Sequence, residues 1–157
     1  MNITARKHKK GFTLVELIVV IAIIGVLAAI IVPTTLHFVG QANDQAASDE
    51  VSTVLNALDA GFTTAVAGGK TIDAAALIAI LDAAGIAGSS LNNEITVVFA
   101  YDSDTKAASF TVSTNYSDNM EQSKSYTNIT LAGGADIDIT LKNNGTDKAW
   151  AQVVAQG

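Results

Sequence analysis

The chain has 157 residues, no cysteine, a formal net charge of −6 and a mean hydropathy of +0.35, a length that fits one domain. The missing cysteines exclude a disulfide-stapled scaffold and a thiolate metal site. Beyond residue 11 only five Lys and Arg stand against fifteen Asp and Glu, so the body of the chain would repel phosphates and no direct nucleic acid binding is expected.

Arg6, Lys7, Lys9 and Lys10 open the chain, and an apolar run follows them. No Asp, Glu, Lys or Arg occurs between Glu16 and Asp44, and residues 17–32 are wholly apolar apart from Gly25. A basic flank before about 20 apolar residues directs a helix into a membrane with the basic end cytoplasmic. A cleaved secretory signal is the competing reading, with Val26, Leu27 and Ala28 as its cleavage region. Apolarity that continues past Ala28, and Glu16 lying inside the run, oppose it.

Leu36, Val39, Ala46, Val51, Val54, Leu55, Leu58, Phe62 and Val66 then recur mostly at steps of three and four, the mark of an amphipathic helix. Gln41, Asn43, Asp44, Gln45, Asp49, Glu50, Asn56 and Asp59 form its polar, solvated side, and Gly68-Gly69 forms its stop. Residues 12–66 read as one helix of about 80 Å at 1.5 Å per residue. Its first half asks for lipid or other copies of the chain around it. Pro33 lacks the N–H of the i→i−4 bond, and Gly25 and Gly40 weaken neighbouring turns, so a kink or a meltable stretch is expected at Gly25 and Pro33.

Residues 73–84 form a short second helix with Gly85 as its stop. Strands are expected at 94–101 and 108–114 around a turn. Two more at 136–142 and 150–155 flank Asn143-Asn144-Gly145 as a second hairpin, and residues 126–131 supply a fifth. No repeat of about 20 to 50 residues is present. The fold class is α+β: a long N-terminal helix whose second half packs on an antiparallel sheet.

Lys9-Lys10-Gly11-Phe12-Thr13-Leu14-Val15-Glu16-Leu17, with the apolar run and Pro33 behind it, resembles the class III signal of a type IV pilin precursor, of type IVa by its eleven-residue leader and Phe12. The resemblance covers residues 6–33. It implies a leader at 1–11, a transmembrane polymerisation helix at 12–39, an amphipathic continuation at 40–69 and a globular head at 70–157. It further implies cleavage between Gly11 and Phe12 by prepilin peptidase, N-methylation of Phe12, and subunit assembly through Phe12 and Glu16. A Gly at the cut presents no side chain to a protease. A charge at mid-membrane costs about 2.5–3.5 kcal/mol on insertion scales, so Glu16 needs a partner. The family supplies the terminal amine of a neighbouring subunit.

The partners implied are other pilin subunits, prepilin peptidase, an assembly ATPase and a platform protein. The precursor belongs in the cytoplasmic membrane and the product in an extracellular filament. Nothing in the chain matches the Gly-x-x-x-x-Gly-Lys-Ser/Thr phosphate loop, and no cofactor is expected. His8 and His37 have no acid partner in sequence, and Asp49-Glu50 reads as a solvated edge, so an enzyme is not expected. Asp102 and Asp104 are weak calcium candidates against the commoner role of turn formers. Three N-x-Ser/Thr triplets, at Asn115, Asn128 and Asn144, match a glycosylation pattern that arises readily by chance. The lack of a disulfide tilts the source towards Gram-positive or anaerobic bacteria, or the chain towards a pseudopilin. The leading function is the major subunit of a type IV pilus. The alternatives are a pseudopilin or competence pilin, or a membrane-anchored binding domain or enzyme.

Overall fold

The computed structural model describes residues 11–86, 91–116, 120–132, 135–143 and 149–153. The basic leader with His8, the Asn144-Gly145 turn, the triplet at Asn144, Ser117 of the first triplet and the end of the 150–155 strand lie outside the described residues. The elements in order are α1 (Leu14–Ala67), α2 (Ala74–Ala83), β1 (Ile95–Asp102), β2 (Ala107–Thr114), β3 (Glu121–Tyr126), β4 (Ile137–Asn143) and β5 (Trp150–Val153). The class is α+β, as the periodicities indicate. Two compact units divide the chain, one ending at Ala42 and the other running from Asn43.

In the first unit every described residue is exposed. Its helix is continuous through Gly25, Pro33 and Gly40. Thr34 Oγ1 donates to the Ile30 and Ile31 carbonyls at 3.1 and 2.8 Å, and Thr35 Oγ1 donates to Ile31 O at 2.8 Å. The turn around Pro33 thus carries hydroxyl donors of its own, and two polar side chains inside an apolar stretch are satisfied locally.

The second unit holds the core. Ala47, Val51, Val54, Leu55, Leu58, Phe62 and Ala65 form the buried stripe of α1 at helical spacing. They meet the inward faces of β1 and β2, where Val97, Phe99, Phe110 and Val112 are fully buried. Phe62 is central, with ring centroids 5.5, 5.2 and 4.9 Å from Phe99, Phe110 and Tyr126. These are the separations at which tilted and edge-to-face aromatic pairs attract. Both helices end on a glycine in the left-handed region, Gly69 at φ +63° and Gly85 at φ +74°. The next residue bonds back across each end, Lys70 N–H to Ala65 O and Ile86 N–H to Leu81 O. Asp73 caps α2 by accepting from Ala76 N–H at 2.7 Å.

The sheet is antiparallel in the order β3-β2-β1-β4-β5. Its two hairpins were legible, and the pairing of Asn143 with Trp150 fixes the second. The crossing from β3 to β4, which makes β1 central, was not. Two expectations are corrected. The fifth strand is Glu121–Tyr126 rather than residues 126–131. Helix α1 begins at Leu14 rather than Phe12, because Thr13 serves as its N-cap.

The polar side of α1 is also less solvated than its composition suggests. Glu50 accepts four hydrogen bonds of 2.8–3.1 Å from the backbone and side-chain amides of Asn92 and Asn93. Asp59 accepts from Tyr126 Oη at 2.7 Å and pairs with Lys124, which ties edge strand β3 to the helix. These bonds, led by that from Lys124, hold the Asp59 carboxyl below its ordinary pKa, while burial and the Asp59 bond push the Tyr126 phenol up.

Candidate assembly site at the start of the first helix

The residues that the sequence singles out stand together at one end of α1. Gly11 lies before the helix, and among the described residues beyond its chain neighbours no atom comes within 4 Å of the position a Cβ would take. Phe12 follows, 83% exposed. Thr13 and Glu16 then make a reciprocal cap. Glu16 N–H donates to Thr13 Oγ1 at 3.3 Å, while Thr13 N–H and Oγ1–H donate to Glu16 Oε2 at 2.9 and 2.7 Å. This is a capping box, in which the first and fourth residues satisfy each other's otherwise orphaned donors. Thr13 is the site residue absent from the sequence expectations, although Thr-x-x-Glu ahead of an apolar run is the signature of such a cap.

The box leaves Glu16 poised for a second partner. Oε2 is occupied by Thr13, whereas Oε1 takes no hydrogen bond among the described residues. A carboxylate can accept about four hydrogen bonds, so a cation could be added without breaking the cap. From Leu14 to Val39 the helix is sheathed in exposed Leu, Ile, Val and Phe, and it is long and apolar enough to cross a membrane. Gly25 and Pro33 lie in this stretch, and neither brings another side chain to Glu16. His37 is exposed there and lies against Phe38, with centroids 6.2 Å apart.

The weak metal candidates are placed elsewhere, in the β1–β2 turn. Asp102 Oδ1 accepts from the Asp104 and Thr105 backbone amides, both at 2.9 Å, which is turn-forming work. Ser103 donates through N–H and Oγ to Asp136 Oδ1 at 2.8 and 2.7 Å, and its hydroxyl bond first, then its amide bond, hold the Asp136 carboxyl below its ordinary pKa. Among the described residues no three acidic or histidine side chains converge as a metal group.

The same N-terminal segment is where the chain matches known proteins. Residues 6–32 fit the family model described as the prokaryotic N-terminal methylation motif. Over this segment the chain is similar to type IV pilins. It is 43% identical over 54 residues to a type IV major alpha-pilin of Moraxella bovis, covering 34% of each chain. It is 39% identical over 54 residues to a type II secretion system core protein G of Pseudomonas aeruginosa, covering 34% of this chain and 38% of that one. It is 53% identical over 38 residues to a type IV wide pilus major component of Thermus thermophilus, covering 24% of this chain and 29% of that one. The matched segments thus span about a third of the length of these relatives. No solved structure gives a significant match. The chain is pilin-like, and its N-terminal segment is similar to those of both pilins and type II secretion proteins.

Proposed function

We propose that the chain is the precursor of a filament subunit, the major pilin of a type IV pilus. Prepilin peptidase cuts it between Gly11 and Phe12 and methylates the new amine of Phe12. Residues 12–39 hold it in the cytoplasmic membrane, with residues 70–157 outside as the filament surface. Polymerisation then moves the apolar helix from lipid into a bundle of like helices, driven by an assembly ATPase acting through a platform protein. No catalytic role is assigned to it.

The observation that carries this reading is the exposed apolar half of α1 with a capped carboxylate at its start. Exchanging lipid for other apolar helices leaves packing and charge pairing to set the balance. Phe12 stands just before the capped start of α1 and Glu16 lies in its first turn, so the amine made by cleavage on one chain can dock beside Glu16 Oε1 of its neighbour. At about 4 Å and an effective dielectric near 20 the attraction is about 4 kcal/mol before desolvation, enough to select register. Gly25 and Pro33 give the helix a stretch that can melt or bend as it packs.

A second reading, a pseudopilin in a short transport filament, is favoured by the match to type II secretion system core protein G over the same segment. Electron microscopy with an antibody against residues 70–157 tests both. Long labelled fibres that shear from the cell support the pilus, short membrane-bound stubs the pseudopilin, and uniform surface label with no filament neither.

A further inference from the structure

One face of the sheet packs on α1, but the opposite face has no described element over it. That outer face is built from small side chains. Ser109, Thr111 and Ser113 on β2 and Ser123 and Ser125 on β3 stand on it, half-buried or exposed, and none makes a side-chain hydrogen bond among the described residues. Thr96 on β1 and Thr140 on β4 continue the array in the same condition. Among the described strand residues of this face none is aromatic, and the charged groups of its rows lie towards the sides. Glu121 on β3 has no partner among the described residues, whereas Lys142 on β4 pairs with Glu94 and keeps 45% of its side chain exposed.

The register arranges these residues in straight rows. One row reads Glu121, Ser113, Thr96, Lys142 from β3 to β4. The next but one reads Ser123, Thr111, Val98, Thr140, and the next of the same face Ser125, Ser109, Ala100, Asp138. A second copy turned by 180° about an axis parallel to the strands and midway between β1 and β2 lays β3 over β4 and β2 over β1, row upon row. Glu121 then faces Lys142 of the other copy, twice by symmetry. Ser125 faces Asp138, which can accept its hydroxyl proton, and Ser123 faces Thr140, a donor opposite an acceptor. The face is complementary to itself in charge and in hydrogen bonding.

We propose that this outer sheet face is a homotypic contact surface whose partner is a second copy of this chain, sheet against sheet. Four strands about 4.8 Å apart and three rows give about 400 Å² per copy, or about 800 Å² in all. A contact of that size is weak alone and becomes effective only where many heads are arrayed, because each further contact is then intramolecular. The inference rests on the filament reading for its array, since it is lateral association between filaments that the face would mediate.

The test separates the two ideas. The natural chain has no cysteine, so one copy carrying Glu121→Cys and another carrying Lys142→Cys can be produced together and oxidised in intact membranes, where filaments are not required. The mixed pair should give about tenfold more disulfide dimer than a Lys70→Cys and Lys142→Cys pair, which brings together groups off the symmetric face. Equal yields overturn the proposal. In sheared preparations Glu121→Lys should cut the fraction that sediments at low speed about tenfold, with Glu121→Asp close to the natural chain and high salt mimicking the loss. Filaments of Glu121→Lys that still bundle like the natural ones, with the head folded by Trp150 fluorescence, also overturn it. If no filaments form at all the filament reading fails, and the membrane cross-link still decides the face.

Discussion

Gly61 lies on α1 where α2 crosses it, and replacing it by alanine sets two effects of opposite sign against each other. A Cβ on residue 61 would stand 2.2 Å from Ile80 Cγ2, 2.9 Å from Cγ1 and 3.0 Å from Cβ. Carbon atoms rest at about 3.5–4.0 Å, so more than 1 Å of movement is demanded. Ile80 cannot swing aside cheaply, because a β-branched residue in a helix has essentially one χ1 rotamer. Overpacking of this kind costs about 1–3 kcal/mol, while alanine returns about 1 kcal/mol of helix propensity relative to glycine. The balance is a net loss of about 1 kcal/mol, or a fall in melting temperature of about 4 °C for a unit of this size. With Ile80→Ala as background the obstacle is gone, and Gly61→Ala should then stabilise by about 1 kcal/mol. The assay is thermal unfolding of the detergent-solubilised full chain, followed by the fluorescence of its single tryptophan. Trp150 is buried and donates Nε1–H to Ile86 O at 2.9 Å, so it reports on the core around α2. A higher melting temperature for Gly61→Ala alone, or the same sign in both backgrounds, would refute the steric argument.

Acid should destabilise the head through Asp59 and Asp136, whose pKa values lie below those of the unfolded chain. With the folded pKa depressed, the unfolded chain binds more protons at pH near 4, so stability is present above that pH and falls as pH drops. Asp59→Asn should flatten this limb in melts recorded against pH, and an unchanged limb would assign the acid loss elsewhere. Asn143→Ala should cost about 2–3 kcal/mol by denaturant unfolding, because the buried amide accepts from Ile95 N–H at 2.6 Å and donates to Asn93 O at 2.9 Å, leaving two backbone groups unpaired. A loss below about 0.5 kcal/mol would show that water replaces it. Glu16→Val should insert in the membrane and be cleaved after Gly11 as usual, yet yield few sheared filaments relative to its processed membrane pool. Filaments at natural abundance would remove the amine–carboxylate pairing from the mechanism.

The parts of this molecule that could be read from sequence are those written in apolar periodicity. The stripe from Val51 to Phe62, the alternation in β1, β2 and β4, and the glycines after both helices each announce themselves because burial or a positive φ leaves few residue types free. Strand β3 does not. Its sequence EQSKSY shows no apolar alternation, because Gln122 and Lys124 meet Ser52 and Asp59 of α1 through polar contacts and only Tyr126 adds a ring to the core. The same polar seam misleads the reading of Glu50 and Asp59, whose residue types look solvated and whose partners are 42 and 67 residues away. At the candidate site Glu16 stands out in sequence as the lone acid in an apolar run, while Gly11 and Phe12 are singled out by the resemblance to a class III signal. The capping role of Thr13 is local and was legible too, as Thr-x-x-Glu ahead of an apolar run. Glu121 and Lys142 had no signal in sequence, because register alone places them in one row.

On the proposed function this chain becomes a filament through a helix whose new terminus is Phe12. Mass spectrometry of the intact subunit from sheared filaments tests it most directly. A single species is expected that begins at Phe12, carries one added methyl group and runs on through the apolar helix. A surface-exposed chain beginning at Ala29, with the apolar run removed, would contradict it and return the segment to an ordinary secretory signal.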